Sequence, residues 1–236
     1  MHLLVSVRSA EEAAAALAGG ADVIDAKDPD AGALGAVPAH VFREIRDRVG
    51  DARPVTAALG DASDAIAIER AARESAAAGA RFVKFGFAGI ESASRIAEII
   101  AAAVFGSRAV SVEKTGVVAV AYADAARVSS IAFDDLLSAA SLGGAEGVLV
   151  DTADKRGPGL RQLVTPATLS RWIADAHDAG LFIAVAGKLT ADDLPFLRDA
   201  GADIAGVRSA ACDGSRTGRV SADRVRRLQD QLGSGR

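Results

Sequence analysis

The chain has 236 residues, half of them hydrophobic but only 4% aromatic, and a formal net charge of −4. Its acids and bases are interspersed, with no basic stripe carrying interleaved aromatics, which argues against a nucleic-acid partner. The single cysteine, Cys212, excludes an intrachain disulfide and a multi-cysteine metal site and suits a reducing compartment.

The first apolar run, LLVSV (3–7), lacks the basic n-region and long apolar core of a signal peptide, so a cytoplasmic protein is expected. No later stretch approaches the ~20 apolar residues of a membrane span, and no membrane association is expected. Ser9 then precedes EEAAAALA, with Glu12 three residues on, the spacing of a capping box. AGGADVIDAK (18–27) introduces a pattern that recurs: a helix ends in Gly, and a Val/Ile-rich run too short for a helix follows. Pro38 opens AHVFREIRDRV, in which Val41, Phe42, Ile45 and Val49 share a face. PVTAALG (54–60) reads as the third strand and 62–78 as a helix; AAGARFVKFG (77–86) repeats the Gly-strand pattern before a helix over 91–104. GVVAVAYAD (116–124), a helix over 133–142, LGGAEGVLVD (142–151) and a helix over 165–179 follow. DAGLFIAVAG (178–187), a helix over 190–200, DAGADIAGVR (199–208) and a helix over 221–232 complete the series, and QLGSGR reads as a frayed end.

Eight strands, each followed by a helix, imply a parallel sheet, and eight units in a chain near the typical ~250 residues favour a single (β/α)8 TIM barrel over residues 1–236. An open doubly wound sheet is the runner-up, although no GxGxxG follows the first strand.

Barrel chemistry sits at the C-terminal ends of the strands. Those ends carry Asp25, Lys27 and Asp28 on strand 2, Lys84 on strand 4, Tyr122 and Asp124 on strand 5, Asp151 and Lys155 on strand 6, Gly187 and Lys188 on strand 7, and Arg208 and Ser209 on strand 8. Asp25 and Lys27 are two apart and face the same side, where burial is costly unless the charges are paired or functional. A desolvated lysine near other cations is a neutral amine nucleophile that can add to a carbonyl and form an imine, with nearby carboxylates moving protons. The loops AGKLT and VRSAACDGSRTG after strands 7 and 8 are where barrels often hold phosphate on backbone N–H groups. His2, His40 and His177 are too scattered for a metal triad or a Ser-His-Asp set. The bland alternative is that each strand lysine is a salt-bridged structural residue. Asp22 and Asp203 read as solvated ends at the opposite rim.

LLVSV, GGADVIDAKDPDAGALGA, RFVKFGFAG, VVAVAYADAARV, GVLVDTADK, AVAGKL and DIAGVRSAACDG also resemble phrases of the (5-formylfuran-3-yl)methyl phosphate synthase family, also called 4-(hydroxymethyl)-2-furancarboxaldehyde-phosphate synthase, over residues 3 to about 230. The resemblance implies a class-I-aldolase-like lyase of methanofuran and methylofuran biosynthesis, acting without metal or organic cofactor. Two molecules of glyceraldehyde 3-phosphate, a small phosphorylated aldehyde, would condense to the furan aldehyde phosphate with loss of one phosphate and two waters. Carried over, Lys27 would be the Schiff-base lysine, Lys84 a second acid or base, and Asp25 and Asp151 proton shuttles that hold the lysines. Lys155 would bind or help expel phosphate. Backbone near Gly187, Lys188, Ser209 and Ala210, with Arg208, would cradle a phosphate, and Tyr122 and Asp124 would contact substrate.

Two alternatives stay open: another Schiff-base barrel aldolase or phosphosugar isomerase, and a non-catalytic phosphate-binding barrel. A homo-oligomer is compatible with the chain, but no segment carries an interface signature.

Overall fold

The computed structural model describes residues 1–110 and 115–233. The described elements run β1 (His2–Val7), α1 (Ala10–Ala18), β2 (Val23–Ala26), α2 (Ala39–Val49), β3 (Val55–Asp61), α3 (Ala65–Ala77), β4 (Phe82–Gly86), α4 (Ala93–Arg108), β5 (Gly116–Tyr122), α5 (Phe133–Gly143), β6 (Gly147–Asp151), α6 (Leu160–Leu163), α7 (Pro166–Asp178), β7 (Phe182–Val185), α8 (Leu194–Asp199), β8 (Ile204–Val207) and α9 (Ala222–Gly233). All neighbouring strands pair in parallel, and β8 pairs with β1, so the sheet closes into an eight-stranded barrel. The expected fold is the observed one.

Local chemistry accounts for the element boundaries. Ser9 caps α1 by accepting from the Glu12 N–H, and Asp64 caps α3 by accepting from the Ala67 N–H. On α2, Phe42, Ile45 and Val49 are buried against the sheet, each contributing about 1.5–3 kcal/mol of transfer free energy. The helix expected over 190–200 is instead a 3-10 turn, Ala191–Asp193, followed by the short α8. Pro195 lies in the first turn of α8 and has no N–H to continue a longer ladder. The last three residues of QLGSGR lie outside the described residues. At the N-terminal rim, Asp22 accepts from the Leu3 N–H and Asp203 from the Ile183 N–H, each at 2.8 Å. These two carboxylates therefore tie adjacent strands together and are not merely solvated ends.

Strand alternation separates two apolar regions. Outward-facing residues such as Leu3, Val5, Ile24, Val83 and Phe85 pack under the helices. Inward-facing Val118, Val120, Leu149 and Ala184 fill the barrel with Phe82 and Phe182, whose rings meet edge to face at 5.2 Å between centroids. The barrel floor is thus apolar, and the polar inward positions lie above it, toward the C-terminal mouth.

Gly106 lies inside α4, where glycine is less favourable than alanine by about 0.5–1 kcal/mol. It is tolerated because α3 approaches so closely that an added Cβ would strike the Glu69 carbonyl. Gly106→Ala is accordingly expected to destabilise the protein by about 1–3 kcal/mol in chemical denaturation, against its gain in helix propensity. Stabilisation by the substitution would contradict this close packing.

Candidate active site

The register sets three polar side chains at one level of the barrel. Ser6 pairs with Asp25, and Asp25 pairs with Thr56. Both hydroxyls donate to the Asp25 carboxylate at 2.8 Å, and Lys84 Nζ reaches its Oδ2 at 2.8 Å from β4. Asp25 is 0% exposed. Burial opposes its ionisation, but Lys84, Lys27 and the hydrogen bonds outweigh that and hold its pKa below the ordinary value. On the β6 side, Asp151 accepts from Lys155 Nζ at 2.5 Å and from the Thr152 N–H at 2.8 Å. Burial opposes its ionisation too, and Lys155 and Lys27 reverse the balance.

Lys27 follows the end of β2, its N–H donating to the Val7 carbonyl at 2.9 Å, so the strand ladder fixes its backbone. The residue is 7% exposed. Among the described residues no carboxylate lies within 4.0 Å of its ammonium, because the two nearby carboxylates are engaged by Lys84 and Lys155. Burial is the main cause that lowers its pKa to about 7; Asp151 opposes this, and the charges of Lys84 and Lys155 add to it. The result is one lysine poised to lose its proton near neutrality between two ion-paired lysines.

Lys27, Lys84, Asp151, Lys155, Gly187, Lys188 and Ser209 line a single cavity of about 70 Å³ at the barrel mouth. Gly187 and Lys188 both take positive φ, 106° and 61°, which turns the loop after β7 sharply into the mouth. Among the described residues, the N–H groups of Gly187, Lys188, Ser209 and Ala210 have no hydrogen-bond partner, so four donors stand open on the loops after β7 and β8. Backbone N–H groups without an internal partner are of the kind that anion-binding loops offer. Lys188 Nζ donates to the Gly157 carbonyl at 2.6 Å.

Other expected site residues hold the framework instead. Asp25 lies behind the cavity wall and acts on it through Lys84. Tyr122 donates to Asp61 Oδ1 at 2.7 Å, and an added Cβ on Gly86 would collide with both groups. Asp124 accepts from the Ala153 and Asp154 N–H groups at 2.7 and 2.9 Å, shaping the loop after β6. The expected phosphate role of Arg208 does not suit its geometry. Its five N–H groups go to Glu12 (two), Ser6 O, Arg216 O and Gly218 O, leaving none for a substrate. Sequence reasoning missed Ser6 and Thr56, although both sit at inward positions beside Asp25 in the two-residue alternation. It also missed Arg216, a loop residue with no periodicity to reveal it.

The 4-HFC-P synthase family matches residues 3–229. The chain belongs to the 4-HFC-P synthase family. Among its relatives, the (5-formylfuran-3-yl)methyl phosphate synthase of Methanopyrus kandleri is 37% identical over 234 residues, covering 98% of each chain. That of Methanosarcina barkeri is 36% identical over 229 residues, 97% of each. Solved structures share the fold at lower identity. KGPDC from Streptococcus mutans has a TM-score of 0.69 at 16% identity, covering 99% of this chain and 97% of that one. A 3-hexulose-6-phosphate synthase has 0.63 at 21%, covering 97% and 99%. Among the described residues of this family member, no three His, Cys, Asp or Glu side chains cluster as a metal site, and no helix is long and apolar enough to cross a membrane.

Asp25→Asn removes the only carboxylate paired with Lys84 among the described residues and leaves that ammonium buried. Loss of one partner of a buried pair is expected to cost about 3–5 kcal/mol, measured by denaturant titration near neutral pH. The cost should shrink as pH falls below about 4, because the pKa of Asp25 is lowered on folding and its stabilising contribution is lost in acid. A cost that is independent of pH would contradict the ion-pair role.

Proposed function

We propose that the protein condenses two glyceraldehyde 3-phosphate molecules into (5-formylfuran-3-yl)methyl phosphate through a Schiff base on Lys27. The observation that carries this is the buried Lys27 amine, without an ion-pair partner among the described residues and with its pKa lowered to about 7, lining the cavity at the barrel mouth with Lys84, Lys155 and Lys188. Family membership supports the product, since the relatives from Methanopyrus kandleri and Methanosarcina barkeri carry that synthase name.

The unprotonated amine attacks the aldehyde carbon of one substrate, and the carbinolamine loses water to give the imine. The imine withdraws electrons from the neighbouring carbon, so its C–H bond can be broken and the resulting enamine can expel phosphate or attack a second aldehyde. Lys84 and the Lys155–Asp151 pair flank the amine and are placed to take up and return the protons. Lys155 also offers positive charge to the departing phosphate. One carbon–carbon bond joins the units, one carbon–oxygen bond closes the ring, and hydrolysis of the imine frees Lys27. One phosphate and two waters leave overall, so the atoms balance without an oxidant. The four open N–H groups of the loops after β7 and β8 hold the phosphate that is retained.

Incubation with glyceraldehyde 3-phosphate alone is expected to yield the furan aldehyde, seen by its ultraviolet absorbance and mass, together with inorganic phosphate. A requirement for a second, different substrate would favour another barrel aldolase. Lys27→Arg is expected to abolish turnover with the fold intact, because guanidinium stays protonated. The rate of imine formation should rise about tenfold between about pH 6 and about pH 8, as an amine with a pKa near 7 loses its proton. A flat profile would contradict the assigned nucleophile.

A further inference from the structure

The cavity carries more positive charge than its own acids balance. Lys27, Lys84, Lys155, Lys188, Arg208 and Arg216 line it, against Asp151 in the lining and Asp25 and Glu12 behind it. Four of these six bases have a carboxylate partner or an assigned chemistry, whereas among the described residues Lys188 and Arg216 have only carbonyl acceptors. Arg216 comes from the loop after β8 and is half-buried, yet among the described residues no carboxylate forms an ion pair with it. Its guanidinium crosses the mouth to the loop that follows Lys27. Nη1 donates to the Pro29 carbonyl, and Nη2 donates to the Gly32 carbonyl at 2.7 Å. Two of five N–H groups are thus used on neutral acceptors, which leaves three on a side chain that lines the cavity.

The seat of Arg216 is built from below. Arg208, held by Glu12, donates through Nε to the Arg216 carbonyl at 2.9 Å and through Nη2 to the Gly218 carbonyl at 2.9 Å. Arg8 donates to the Thr217 carbonyl at 3.1 Å. A buried Arg–Glu pair therefore fixes the loop in the conformation that turns Arg216 inward.

We infer that Arg216 is a phosphate-binding residue of this site, its guanidinium held at the cavity by the Pro29 and Gly32 carbonyls. An unpaired guanidinium among lysines has the planar fork that phosphate oxygens match. The inference rests on the reading that the substrate carries phosphate, but it can be tested without the reaction. Arg208 and Glu12 are then positioning residues, acting through the loop.

Inorganic phosphate is titrated calorimetrically into the wild type, Arg216→Gln and Arg216→Lys, each checked for an unchanged melting profile. The half-saturating phosphate concentration is expected to rise about 10- to 100-fold in Arg216→Gln. It should rise less in Arg216→Lys, whose single ammonium must serve both the carbonyls and the anion. Undiminished phosphate affinity in both variants, or no phosphate binding by the wild type, would overturn the inference. Should Arg216→Gln fail to fold, the Lys variant decides by the same criterion. A chain that binds phosphate in an Arg216-dependent way but makes no furan from glyceraldehyde 3-phosphate would defeat the synthase reading and leave this one standing.

Discussion

Two ion pairs determine the state of a third group. Lys84 takes Asp25 and Lys155 takes Asp151, so Lys27, buried between them, has no carboxylate of its own. Were either pair absent, the freed carboxylate could hold Lys27 as an ammonium, and burial alone would no longer keep its proton labile near neutrality. The charge state of Lys27 thus depends on its burial and on how its neighbours are matched to one another. Three lysines that look alike in the sequence end with different partners.

The barrel makes this matching possible. Parallel pairing brings Ser6, Asp25 and Thr56 side by side on consecutive strands, and the two hydroxyls fix the carboxylate so that one oxygen faces Lys84. Beneath them, the Phe82–Phe182 contact and the small inward residues of β6 and β7 keep the floor apolar, which strengthens every charge interaction above it. Above them, the loops after β7 and β8 present open N–H groups, and the Arg208–Glu12 pair anchors the longer loop. The chain has a net charge of −4, yet the cavity at the mouth is lined by six basic side chains, a charge pattern that favours an anion there.

Much of this was legible in the sequence, for physical reasons. Gly-terminated helices followed by short Val/Ile runs set the strand order, and two-residue alternation put Asp25 and Lys27 on one face. The strand ends located the lysines because barrel chemistry concentrates there. Partner choice was not legible, since it depends on register between strands: nothing local says that Lys84 reaches Asp25 rather than Asp151. Arg208 and Arg216 show the same limit. The strand-end arginine looked like the phosphate ligand, but the buried Glu12, distant in sequence and fixed on α1, engages it and leaves the loop arginine facing the cavity. Tyr122 and Asp124 were similarly visible as strand-end polar groups, while the acceptor of Tyr122 ends β3 and the donors to Asp124 lie on the loop after β6.

The proposed Schiff base on Lys27 is the central point, and chemical trapping addresses it most directly. The enzyme is mixed with glyceraldehyde 3-phosphate, reduced with borohydride, digested and mapped by peptide mass spectrometry. The adduct is expected on Lys27, with Lys84 and Lys155 unmodified. An adduct on Lys84 or Lys155, or furan formed with no adduct at all, would contradict the assignment of Lys27 as the nucleophile.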